Sequence, residues 1–289
     1  MSPRRRRRAG FVWFVFLAVL AVVAGVGVAV WRGTGPLPDP EACTATAAGR
    51  SVGLSPEQSR NAALIAAIAV RRGLPARAAS IALATAYQES KIRNLGHGDR
   101  DSLGIFQQRP SQGWGTAAQI QDEYYAINKF YDALEKVDGY ETMRITEAAQ
   151  KVQRSGFPEA YEDHAPDGRA LASALTGYST GGSFTCVVHA RDGHRTAAAV
   201  RHSLTKAYGT GLAVARTGVR QDVTVAVGTG VPGRRQGWSV AAYLLAHAAD
   251  LRIQAISFDG RVWKVGRDSE QGWQASRAGK PDRVTVTLG

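Results

Sequence analysis

Residues 86–115 read "AYQESKIRNLGHGDRDSLGIFQQRPSQGWG". An Ala-rich apolar helix runs into one carboxylate, Glu89, and then into a loop crowded with Gly, Asp, Gln and Arg. Along residues 74–90, "LPARAASIALATAYQES", and just beyond, Ile81, Thr85, Glu89 and Ile92 recur at intervals of four, four and three. That spacing puts Glu89 on an apolar face near the helix end. A carboxyl against apolar surface has its charged form disfavoured, so its pKa rises toward neutrality. A proton donor to a leaving-group oxygen needs this property. The same spacing also fits a helix-terminal Glu paired in solvent with Lys91 or Arg93, and spacing alone does not separate the two.

The surroundings of this stretch are helical. "SPEQSRNAALIAAIAVRRG" (55–73) carries Ser55 as a cap, Pro56 at the first helical position and an apolar stripe at Leu64, Ile65, Ile68 and Ala69. Pro75 opens the helix that ends at Glu89. In "DEYYAINKFYDALEKV" (122–137), Tyr124, Ile127, Tyr131 and Leu134 share one face. "TEAAQKVQRSG" (146–156) and "PEAYEDHAPDGRALASALTG" (158–177) complete five helices, with Gly156 and Gly177 as stops. No strand is expected between residues 50 and 180, and residues 51–187 read as one mostly α-helical domain.

Beyond it the pattern changes. Residues 188–212 read as a linker with a connecting helix over 196–208. Residues 213–289 read as a small α+β domain of order β-α-β-β-β. Its signals are the alternating "DVTVAVGTG", the helix "GWSVAAYLLAHAADL", the hairpin "AISFDGRVWKVG" with an Asp259-Gly260 turn, and a last strand "DRVTVTLG". Trp263 in that hairpin is a candidate carbohydrate contact, with plain hairpin packing as the alternative. "GTGVPG" (228–233) follows a strand but lacks the Lys-Ser/Thr of a phosphate loop and reads as a turn.

The N-terminus carries Arg4–Arg8 and then "FVWFVFLAVLAVVAGVGVAV" (11–30), without a charge. Residues 1–10 read as a cytoplasmic basic tail and 11–31 as a transmembrane anchor in the cell membrane. A Pro-rich linker follows over 32–50. The C-terminal bulk then lies outside the cytoplasm, with secretion after signal cleavage as the alternative. The net charge of +12 divides into +6 over residues 1–32, −2 over 33–188 and +8 over 189–289. On an exported chain the basic C-terminal part is expected to meet anionic wall polymers, and nucleic acid is excluded as a partner. Cys43 and Cys186 flank the helical segment. In an oxidising compartment they are expected to form a disulfide, two free buried thiols being the alternative. His189, His194 and His202 cluster loosely without ligand spacing, so neither a metal nor a cofactor is expected.

The segment "QESKIRNLGHGDRDSLGIFQQRP" resembles the glutamate-plus-loop signature of the lysozyme-like superfamily. Glu89-Ser90 and Gly104-Ile105-Phe106-Gln107 are similar to the Glu-Ser and Gly-Leu-Met-Gln elements of soluble lytic transglycosylases. Gly96, Gly98, Asp99, Arg100, Gly104 and Gln107 are similar to a pattern of goose-type lysozymes. The resemblance covers about residues 50–180. More broadly, the chain resembles membrane-anchored wall-associated proteins of GC-rich Gram-positive bacteria.

This resemblance implies a lysozyme-like fold over 51–187 and cleavage of the β-1,4 bond between N-acetylmuramic acid and N-acetylglucosamine in peptidoglycan glycan strands. Glu89 would act as general acid and then base. Asp99 would be the second carboxylate of a hydrolase, with Asp101 in reserve. Ser90, Gln107, Gln108, Trp114 and Tyr161 would line the glycan site; packing and loop structure are the alternative roles for each. The loop between Asp99 and Gly104 is one residue shorter than in goose-type lysozymes, and Gln108-Arg109 stand where another acid is usual. "AQKVQRSG" (149–156) occupies the place of the transglycosylase "AYNAG". A lysozyme-like scaffold that grips glycan without cutting it is the alternative function.

Overall fold

The computed structural model describes residues 3–31, 38–193, 195–217 and 222–289, with side chains over 13–28 of the first helix. The chain divides into two units, Met1–Pro40 and Glu41–Gly289.

The first unit holds helix α1, Pro3–Trp31. The expected anchor is corrected here: among the described residues, no helix is long and apolar enough to cross a membrane. The transmembrane helix, the attachment to the cytoplasmic membrane through residues 11–31 and the single-pass localisation fall with it. Linker residues 32–37 and the side chains of Arg4–Arg8 lie outside the described residues.

The second unit opens on strands β1 (Ala42–Ala47) and β2 (Arg50–Leu54), which form an antiparallel hairpin. Its two-residue turn places Ala48 at φ 52° and Gly49 at φ 73°, the type I′ pattern that suits the strand twist. Strand β2 corrects the expectation of none after residue 50; the Ala48-Gly49 turn lacks the usual Asn-Gly signal. Helices α2 (Pro56–Arg71) and α3 (Ala76–Ser90) follow. Ser55 and Gln58 cap α2 with a reciprocal box: Gln58 N–H donates to Ser55 Oγ at 3.3 Å, and Ser55 N–H to Gln58 Oε1 at 2.9 Å. Next come α4 (Ala117–Gln121), α5 (Glu123–Leu134), α6 (Ile145–Gln153) and α7 (Ala165–Leu175). Strand β3 (Phe184–Val187) then pairs with β1, giving a three-stranded sheet of order β2-β1-β3. Cys43 and Cys186 stand opposite each other in that pairing and are joined by a disulfide.

Helix α3 is the centre of this unit. Its residues Ala78 to Ala86 are all buried, and it lies along α7. Gly168 of α7 makes the close approach possible, because a Cβ there would sit 2.6 Å from Ser80 O and 3.0 Å from the Ala84 backbone nitrogen.

After β3 the chain forms α8 (Ala197–Tyr208), β4 (Ala213–Thr217), β5 (Asp222–Ala226), α9 (Gly230–Ala246) and α10 (Ala248–Leu251). Strands β6 (Ile253–Phe258), β7 (Arg261–Lys264), β8 (Gln274–Ala275) and β9 (Arg283–Leu288) complete it. The sheet runs β4-β5-β9-β6-β7-β8, antiparallel throughout. The expected β-α-β-β-β order thus gains β4 and β8. Neither buries much surface, with β4 largely exposed and β8 two residues long, which hid them from pattern reading.

This second sheet does not stand apart from the helices. Helix α9 packs on α2 on one side and on β6 and β9 on the other. Tyr208 Oη and Ser239 Oγ share a hydrogen bond of 2.9 Å inside that layer. From the sheet side, the indoles of Trp263 and Trp273 donate to Cys186 O and Phe184 O, each at 2.9 Å. The outer edge of β3 is thereby covered rather than left open to another strand.

Candidate active site

Glu89 sits in the last turn of α3, partly buried. The helix stops because Lys91 and Ile92 take left-handed conformations, φ 56° and 59°. For a β-branched residue this is costly, about 1–3 kcal/mol. Complete burial of Ile92 and a 2.9 Å hydrogen bond from Asn61 Nδ2 to Ile92 O hold it in place. Ser90 Oγ donates to Ile105 O at 2.7 Å and accepts from Arg93 N–H at 3.1 Å. Ser90 therefore pins the 104–107 loop against the helix end.

Two side chains address the carboxylate. Tyr161 Oη donates to Glu89 Oε1 at 2.7 Å, and Gln153 Nε2 donates to the same oxygen at 3.2 Å. Gln153 is itself fixed by a 2.7 Å bond to Phe106 O. Burial pushes the Glu89 carboxyl above the ordinary carboxylate range, and the bonds from Tyr161 and Gln153 pull part of the way back. Burial also raises the Tyr161 hydroxyl, aided by the neighbouring carboxylate, so it stays a donor. No second carboxylate contributes to the shift of Glu89 among the described residues.

The other expected residues fall elsewhere. Asp99 lies in the exposed 96–101 loop with its side chain 92% accessible, 3.9 Å from Arg100 Nε. Asp101 is a loop staple. It accepts from Arg109 Nε and Ser111 N–H at 2.8 Å each and from Ser111 Oγ at 3.0 Å, which holds its carboxyl well below the usual range. Gln107 is partly buried and donates to Gly104 O at 3.2 Å. Gly98 leaves it room, since a Cβ there would meet Gln107 Oε1 at 1.8 Å. Gln108 is turned into the core, donating to Ala126 O at 3.2 Å. Trp114 is half-buried and walls a groove of about 690 Å³ that also reaches Gln153. Trp263 is fully buried and donates to Cys186 O, the packing alternative.

Gln153 was not legible as a site residue, because it lies in the segment that departs from the transglycosylase pattern. Its sole signal is position, eight residues before Tyr161. Phe157, between the two, is 79% exposed. On the far side of the helix end, His164 Nε2 and Gln88 Oε1 are 2.9 Å apart, and the imidazole stacks on Tyr87 at 4.7 Å. Burial, with Lys91 nearby, lowers the His164 pKa, so the ring is neutral at pH 7.

No protein-family model matches the chain, and no curated protein matches it. Among the described residues, no group of three His, Cys, Asp or Glu side chains is placed to hold a metal ion; His194 lies outside them.

Proposed function

We propose that the chain is a peptidoglycan glycosidase in which Glu89 is the general acid and base, acting by the lytic transglycosylase route. The observation that carries the reading is the Glu89 carboxyl at the helix end. It is partly buried, raised above the ordinary range, and approached on one oxygen by Tyr161 and Gln153. Its second oxygen, Oε2, accepts no hydrogen bond from the described residues and is the atom left to carry the proton.

In the first step the protonated Glu89 gives its proton to the glycosidic oxygen as the bond from the muramic acid C1 breaks. Glu89 is then a carboxylate, stabilised by the donors Tyr161 and Gln153 and placed beside the developing positive charge at C1. It next accepts the proton of the muramic acid C6 hydroxyl while that oxygen bonds to C1, closing a 1,6-anhydro ring. The carboxyl ends protonated, ready for another turnover. An inverting hydrolase would require a second carboxyl about 6.5–9.5 Å away to hold water. The exposure of Asp99 and the engagement of Asp101 with Arg109 and Ser111 favour the one-carboxyl route.

Digestion of purified sacculi tests this reading. Wild-type protein is expected to release muropeptides with 1,6-anhydro ends, identified by mass, and Glu89→Gln to release none while still co-sedimenting. Equal release by both proteins refutes the acid-base role, and reducing ends in place of anhydro ends refute the route. Co-sedimentation without release by either protein establishes the glycan-gripping scaffold instead.

A further inference from the structure

The groove walled by Trp114 is strongly cationic. Helix α5 presents Lys129, Asp132 and Ala133, and the turn that follows it adds Lys136. Across from it stand Lys151 and Arg154 at the end of α6. Ala133, Val137 and Val152 supply apolar surface between the charged rims. The one acid, Asp132, is already paired with Arg72 at 2.8 Å. Lys129 lies 5.5 Å from the Tyr125 ring. Lys136, Lys151 and Arg154 are exposed and form no ion pair with the described residues. Four cations thus line a groove that also takes in Gln153, the residue that donates to Glu89.

We propose that this groove binds the carboxylates of the peptides that hang from the glycan, and so selects peptide-bearing strands over bare ones. The inference rests on the peptidoglycan reading of Glu89. A strand stripped of peptide keeps only the lactyl carboxylate held close to each muramic acid ring, whereas the stem peptide carries its carboxylates several bonds further out, from the same sugar whose C1 bond is cut. A strand seated at Glu89 therefore delivers a carboxylate-bearing peptide within reach of a groove that begins one side chain away. The groove volume, about 690 Å³, is in the range that holds a ligand of several residues. Its apolar floor suits the alanine methyl groups of such a peptide, and its rims suit the acids.

The test measures binding with turnover removed. Soluble glycan oligomers with intact peptides, free of phosphate polymers, are compared with the same oligomers stripped by an amidase, both against Glu89→Gln protein. Peptide-bearing oligomers are expected to bind about ten-fold tighter at low salt, with the preference shrinking as salt is added. Adding K136E/K151E is expected to bring the ratio to about one, K136Q/K151Q to an intermediate value, and R277E on the distant last sheet to leave it unchanged. Equal affinity for the two oligomers, or a preference untouched by K136E/K151E, overturns the proposal. Because no bond is cut, this outcome is independent of whether Glu89 proves catalytic in the sacculus digest.

Discussion

The Glu89 carboxyl is raised above the ordinary range for a local reason: burial disfavours its charged form, and only neutral donors face it. The balance between burial and those donors is adjustable. The Tyr161 hydroxyl favours the ionised form, so removing it as Tyr161→Phe raises the Glu89 pKa further. On the proposed reading the general acid must be protonated, so activity falls as pH climbs through its pKa. The alkaline limb of the sacculus-lysis profile is therefore expected to move to higher pH in Tyr161→Phe, at reduced maximal rate because the second step loses a donor. An unmoved or lowered limb would mean that another group sets it. Linked to folding, the same proton stabilises the native state at pH values below the ordinary carboxyl range, and that stabilisation is lost as pH rises through the raised value.

At the scale of elements, the site depends on how closely α3 and α7 approach. Small side chains set that distance, above all Gly168 against Ser80 and Ala84. A single methyl there meets backbone rather than a yielding side chain. Gly168→Ala is expected to destabilise the fold by about 1–3 kcal/mol and to disturb Tyr161, four residues before α7 begins, relative to Glu89. Thermal unfolding and lysis rate together check this; unchanged values in both would show that the helices part without cost. The helices themselves were legible, since Ser55, Pro56 and Pro75 mark starts and the apolar stripes follow a 3.6-residue period. So was the carboxyl on the apolar face. What escaped the pattern was decided by tertiary contact. Strand β2 alternates over only Val52 and Leu54 and is held by its pairing with β1, β4 and β8 bury almost nothing, and Gln153 reaches Glu89 only because α6 packs against α3. Asp99 and Asp101 are indistinguishable as letters. Arg109 and Ser111 fold back on one of them and leave the other in solvent.

For the unit Glu41–Gly289 as a whole, the disulfide closes a loop of 143 residues around helices α2 to α7 and leaves α8 to α10 outside it. On the chain-entropy account such a loop stabilises by about 5 kcal/mol. The double variant C43A/C186A is expected to melt well below the wild type and to lose the response to a reducing agent that the wild type shows. Identical melting of the two proteins would mean that the denatured chain is as compact without the link. Strand β3 meanwhile serves two masters, pairing with β1 through its backbone on one edge and accepting the Trp263 and Trp273 indoles on the other. A protease that clips the connection after His189 would accordingly free neither portion. The fragments would stay clasped as a noncovalent pair, and the portion that carries Glu89 would not part from the second sheet.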